Sequence, residues 1–309
     1  MAMKIIVASL AVPRASFLHR QAAGRLPIWG AWLASVALFS SAAIADEPAV
    51  SAQAPPEKHL ILPGEVFAVA GHTAFLFTPA TSDAVPAGAL RPWILYAPTL
   101  PAYPDEAERW MHDRFTEAGV AVAGIDTGES YGSPEAVRAT ELLHAEMVKR
   151  GYSARPAVLG RSRGGLWAAA WAIAHPEWTA GLGGIYPVYD WRTYPGAAGA
   201  AAAYGLEPAE LSARAAELCP IERIGVAAQA DVPVCIIHGD EDQVVPLEPN
   251  SATLKRRYEA AGKGDRVQLL IAKGQGHNFW EGFFHCRELV DFLIERARKG
   301  SEGRPAAGN

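Results

Sequence analysis

The sequence predicts an α/β protein built on a mostly parallel, doubly wound sheet, with a small helical insertion after the sixth strand. Three observations predict it. Short β-branched runs alternate with amphipathic stretches from about Phe67 to the end of the chain, the rhythm of strands and crossover helices. Several of the runs are apolar at every position, as strands covered on both faces are. Half of the 309 residues are hydrophobic and only 20% are charged, which excludes a disordered chain and leaves ample material for a core.

Each element has a local reason. FAVAGHTAFLF reads as one or two opening antiparallel strands. PWILYAP (92–98) is a buried strand, and PDEAERWMHDRFTEAG is a helix stopped at Gly119. VAVAGID (120–126) is the next strand. SPEAVRATELLHAEMVKRG follows as a helix, with Pro134 in its first turn and Gly151 at its end. RPAVLG is a strand, GGLWAAAWAIAH a nearly all-apolar helix and TAGLGGIYPV a strand. DVPVCIIHG and RVQLLIA are the last two strands, separated by the helical SATLKRRYEAAGKG. EGFFHCRELVDFLIERARKG closes the fold as one helix. The Ala-rich stretch 191–221 breaks the rhythm and is the insertion, expected over the C-terminal ends of the strands where such sheets bind ligands. No internal repeat is present. A catalytic domain is expected over 57–300 and a disordered tail over 301–309.

The first 45 residues read as an export signal. Lys4, Arg14, Arg20 and Arg25 precede any acid, and the apolar stretch Leu26–Ala45 ends in Ala43-Ile44-Ala45 before Asp46, small residues of the kind a signal peptidase accepts. A retained anchor is the other reading, since the stretch is just long enough to span a bilayer. Gly, Ser and Pro dilute it, which favours cleavage near Ala45 and a periplasmic or secreted product, with membrane contact only through the leader. Without the leader, 24 basic and 33 acidic residues remain and the net charge falls from −5 to −9. Such a body repels phosphate backbones, so nucleic acid is not an expected partner. Cys219, Cys235 and Cys286 permit one disulfide at most; Cys219 with Cys286 is the candidate pair, with Cys235 a buried thiol. No zinc-ligand spacing occurs, and neither metal nor cofactor is expected.

The chemistry sits in Gly160-Arg161-Ser162-Arg163-Gly164-Gly165, which joins a strand directly to an apolar helix. In that setting G-x-S-x-G is a nucleophile elbow: a strained turn exposes the serine hydroxyl, and strand and helix approach so closely that the residues two before and two after must lack side chains. An acid and then a histidine should follow in chain order. Asp240, Glu241 and Asp242 follow one buried strand, and His277 follows the next. His285 is the only other downstream histidine and is expected to pack inside the final helix beside Phe283 and Phe284. Residue type and spacing alone leave the three carboxylates undecided.

HGDEDQVVP (238–246) resembles the H-G-x-x-D-x-x-V-P segment of α/β-hydrolases, especially the dienelactone-hydrolase and prolyl-oligopeptidase-like groups. The resemblance runs from about Ala97 to Phe292 and implies the α/β-hydrolase fold. It places the acid at Asp242, leaving Asp240 as a turn residue, Glu241 in solvent and His238 in a structural role. The expected oxyanion donors are the N–H of Arg163 and one from the loop Ala97-Pro98-Thr99-Leu100-Pro101, which departs from the H-G-G-G pattern. The prolines have no N–H; Thr99 or Leu100 remains, and Leu100 is the choice. By the same resemblance Tyr131 borders the pocket.

Thr99, Tyr186 and Trp280 are further pocket candidates, and Tyr189, Trp191 and Phe279 either join an aromatic rim or pack the insertion. Arg161 and Arg163 either receive an anionic group or pair with an acidic loop such as Asp126 or Glu129. Glu141, His144 and Glu146 share a helix and read as a solvated face. The leading expectation is an exported serine hydrolase that cleaves small carboxylic esters through an acyl-enzyme. A serine peptidase of prolyl-oligopeptidase type is the alternative, although only about twenty residues separate Ala45 from the first strand and leave no room for a gating propeller there. A non-catalytic binding module on the same fold gives no reason to keep the three residues in order. Acyl transfer would use the same triad. Oligomeric state is not legible.

Overall fold

A computed structural model describes residues 58–79 and 89–302. The export segment, the expected cleavage point and the tail beyond residue 302 lie outside the described residues.

Eight strands form one sheet in the order β1-β2-β4-β3-β5-β6-β7-β8. They are β1 (Gly64–Val69), β2 (His72–Phe77), β3 (Trp93–Ala97), β4 (Ala121–Ile125), β5 (Ala157–Arg161), β6 (Gly181–Ile185), β7 (Val234–Gly239) and β8 (Val267–Ala272). The opening run is thus a hairpin whose second strand pairs antiparallel with β4, and every pair from β4 to β8 is parallel. Strands β2 to β7 are buried along nearly their whole length, as a sheet covered on both faces requires.

Alternate side chains feed two cores. Trp93, Leu95 and Ala97 of β3 face the layer of α2 (Pro134–Lys149) and α3 (Gly164–Ala174); Ile94 and Tyr96 face that of α1 (Arg109–Glu117) and α11 (Arg287–Ser301). Helix α2 begins as predicted, with Pro134 in its first turn and the Ser133 hydroxyl accepting from the N–H of Ala136. Between β6 and β7 come α4 (Ala197–Ala200), α5 (Pro208–Ala213), α6 (Ala215–Leu218), α7 (Pro220–Arg223) and α8 (Gly225–Gln229), the helical insertion after the sixth strand. Helix α9 (Thr253–Ala260) separates β7 from β8.

Three expectations change. The closing helix is two: α10 (Glu281–Phe284) ends at His285, and Cys286, in extended backbone, starts α11. The break turns Phe283 and Phe284 into the core, while His285 stays partly exposed, stacked on Trp110 at 4.7 Å and paired with Glu281. His144 is not solvated: it is buried, stacked on Trp178 at 4.8 Å, with its ring bonded to the Ala154 carbonyl. Glu141 of the same helix pairs with His175. Cys219 and Cys286 lie in the two different cores, on opposite faces of the sheet, so they cannot pair. Burial pushes all three thiols up, to about 12, 12 and 11 for Cys219, Cys235 and Cys286. Among the described residues no helix is long and apolar enough to cross a membrane, and no side-chain cluster could hold a metal ion.

Candidate active site

Ser162 stands at the turn between β5 and α3 with φ at +51°, left-handed backbone that a serine adopts only when its surroundings impose it. They do. Its N–H donates to the Ile185 carbonyl at 2.9 Å, and its own carbonyl accepts from Gly165 and Val188. A Cβ on Gly160 would stand 2.8 Å from the Gly164 carbonyl oxygen, and one on Gly164 would overlap the backbone of Ala97. The glycines of the elbow are therefore required by contact with backbone, which cannot yield.

The Ser162 Oγ is 2.9 Å from His277 Nε2, and His277 Nδ1 is 2.8 Å from Asp242 Oδ2. A carboxylate only accepts, so Nδ1 carries the proton and Nε2 accepts from the serine hydroxyl. Asp242 is buried. Its Oδ1 takes the N–H groups of Val244 and Val245, and His238 approaches Oδ2 to 3.5 Å. Burial alone would raise the Asp242 carboxyl; the bonds from His238, His277 and Val245 outweigh it and hold the group well below the carboxylate range. His238 donates from Nε2 to the Val245 carbonyl at 2.9 Å and so accepts from Ser251 at Nδ1. It acts as a structural support, as expected. Asp240 closes a turn onto Gly274 and Lys273, and Glu241 is exposed.

A cleft of about 230 Å³ opens above Ser162, lined by Pro98, Tyr103, Arg161, Arg163, Tyr186, Tyr194, Val244, His277, Asn278 and Phe279. Of the four pocket candidates only Tyr186 lines it; its ring lies 4.4 Å from that of His277. Thr99 is buried, its hydroxyl donating to the Tyr96 carbonyl. Tyr131 packs on Trp167 instead, and Trp280, 44% exposed, sets its ring against Phe283. Tyr189 and Trp191 are fully buried beside the insertion. Tyr103 and Tyr194 were missed. Both are aromatic residues in loops that leave the C-terminal ends of strands, and that position was the available signal.

Leu100 begins a turn in which its carbonyl accepts from Tyr103 N–H and from the buried Lys58 ammonium. Among the described residues the N–H groups of Arg163, Thr99 and Leu100 have no hydrogen-bond acceptor. The arginines pair with acids, but the expected partners hold only for Arg163, 3.3 Å from Glu129. Arg161 turns the other way, to Asp105 and Glu108.

The sequence pattern of the prolyl oligopeptidase family matches residues 137–294, just over half of the chain. A search of curated proteins finds no match. Among solved structures, a puromycin-hydrolyzing peptidase of Mycobacterium tuberculosis is similar at a TM-score of 0.57 and 18% identity, over 83% of this chain and 41% of that one. Dipeptidyl peptidase 4 of Porphyromonas gingivalis aligns at 0.55 and 16%, over 76% of this chain and 35% of its own. Est1E of Butyrivibrio proteoclasticus aligns at 0.54 and 16%, over 76% of this chain and 99% of that one. This chain thus spans well under half the length of the two peptidases. At these identities the likeness is one of fold.

Proposed function

Because the chain belongs to the prolyl oligopeptidase family and is a serine hydrolase by that membership, we propose that it cleaves small carboxylic esters through an acyl-enzyme on Ser162. The observation that carries the reading is the chain of hydrogen bonds from Ser162 through His277 to the buried Asp242, at the floor of an open cleft. His277 takes the hydroxyl proton as Ser162 attacks the acyl carbonyl, and Asp242 orients the imidazole and stabilises its charged form. The tetrahedral oxyanion is met by the N–H groups of Arg163 and Leu100. His277 returns the proton to the departing alkoxide. Water, deprotonated by the same histidine, then releases the acid.

Two features favour an ester over a peptide. The cleft is small and walled by aromatic rings, which suits a short acyl group or a single ring. Among the described residues no acid lines the cleft, and Asp105, Glu108 and Glu129 beside it are each paired with a cleft arginine, which leaves them poorly placed to receive a peptide's terminal ammonium. Family membership favours the second reading, a peptidase.

A fluorophosphonate probe applied to the protein and to Ser162→Ala, followed by short-chain aryl esters and Pro-containing peptides, separates the two. Labelling that ignores Ser162 would sink the enzyme, and peptide cleavage without ester cleavage would reverse the order. We propose also that the chain is exported and cut near Ala45, which N-terminal sequencing of the mature protein tests.

A further inference from the structure

We propose that Arg161 is the positioning residue of this site: it ties the walls of the cleft to the backing of His277, and because its charge is met inside the protein the cleft takes uncharged acyl groups. The proposal rests on the ester-hydrolase reading.

Arg161 is the last residue of β5 and immediately precedes Ser162, yet it is only 4% exposed. Its Nη1 lies 2.7 Å from Glu108 and 3.0 Å from Asp105, and its Nε donates to the Tyr186 hydroxyl at 3.3 Å. Glu108 is wholly buried, and both of its oxygens accept from Tyr96 at 2.8–2.9 Å. The guanidinium carbon lies 5.1 Å from the ring of Tyr103, 5.2 Å from Phe279 and 4.9 Å from Phe284, within reach of cation–π attraction.

These contacts come from separate segments: the loop after β3, the turn leading into α1, the end of β6, the residues after His277, and α10. Tyr103, Tyr186 and Phe279 line the cleft, and the Tyr186 ring stands against His277. One planar, forked cation reaches all of them; a lysine ammonium is a point charge without the fork or the face.

The same bonds settle its charge. Two carboxylates face one guanidinium, and the other cleft arginine, Arg163, pairs with Glu129. A substrate carboxylate entering here would lose water and find no unpaired cation in exchange. Of the two readings of this arginine, the anion receptor is the one the geometry disfavours.

The test compares p-nitrophenyl butyrate with mono-p-nitrophenyl succinate for the intact chain, Arg161→Met, Arg161→Lys and Glu108→Gln, with thermal melts and fluorophosphonate labelling alongside. The parent should favour the butyrate. Arg161→Met, folded, should lose about a hundredfold in kcat with KM little changed, the scale of a misplacement of roughly 1 Å, and Arg161→Lys should recover part of it. Should Arg161→Met not fold, Glu108→Gln, which removes the buried charge opposite Nη1 with little change in volume and leaves Asp105 as its one carboxylate partner, must lower kcat in the same direction. Parent-level kcat in folded Arg161→Met, or in Glu108→Gln, would overturn the proposal. So would a parent preference for the succinate that Arg161→Met abolishes. Failure of the underlying reading looks different: neither ester turns over and Ser162 does not label.

Discussion

At the scale of single residues, the site turns on which carboxylate reaches the imidazole. Asp240 and Asp242 are two positions apart, and their identity says nothing about direction. In the fold Asp240 faces Gly274 and Lys273 at the surface, whereas Asp242 turns inward to two backbone N–H groups and His277. Asp242→Asn should therefore cost about 10⁴-fold in kcat, through the wrong histidine tautomer. Asp240→Asn should leave ester hydrolysis near the parent level, and a side-by-side rate measurement on purified variants decides it. Sequence reasoning reached Asp242 only through a resemblance in HGDEDQVVP. It reached Ser162 and His277 from local order alone, because a strand–serine–helix junction and a lone loop histidine have few competitors.

At the scale of elements, the junction of β5 and α3 is the part most constrained by contact. Gly160→Ala should destabilise the protein by roughly 1–3 kcal/mol, since the added methyl meets the backbone of Gly164 and Gly165. Urea denaturation reads that cost directly. Helix α1 carries the opposite kind of residue. His112 is fully buried among Phe77, Tyr96 and Phe115, and neither ring nitrogen has a partner. His112→Phe keeps the edge-to-face packing and removes two unmet polar atoms, so it should raise the urea midpoint at neutral pH. The pattern of α1 did not reveal this, because a histidine on an apolar helix face looks the same whether or not it finds a partner. The split between α10 and α11 was hidden for a similar reason: periodicity runs through His285 and Cys286, and packing of Phe283 and Phe284 decides where the helix turns.

At the scale of the whole molecule, two buried bases shape stability against pH. Burial, helped by Arg161, pulls His112 down to about 3, and burial pulls Lys58 down to about 8 against the opposing influence of Asp126. Between pH 3 and 6.5 the unfolded chain binds a proton at His112 that the folded one refuses, so stability rises with pH across that window. Lys58 does the same between 8 and its ordinary 10.5. His112→Phe should flatten the first rise relative to the parent and Lys58→Met the second, in urea midpoints measured from pH 4 to 10. Lys58→Met also removes the ammonium that holds the carbonyls of Leu100 and Tyr103, so it should reduce ester turnover as the loop over Ser162 loosens. Steady-state rates at pH 7 check this.

The parallel strands, the elbow and the loop histidine were legible because they rest on local chemistry: an apolar run between breakers, glycines where backbones touch, a loop after a buried strand. The cleft was not. Tyr103 and Tyr194 enter it while Thr99, Tyr131 and Trp280 stay out, and nothing in residue type separates the two sets. Which way a loop side chain points depends on what the neighbouring loops leave open, and those neighbours are distant in sequence. Arg161 shows the same division. Its place before Ser162 was visible from the start, but its partners at Glu108, Asp105 and Tyr186 come from other strands and loops. Only the folded sheet brings those ends together at one edge.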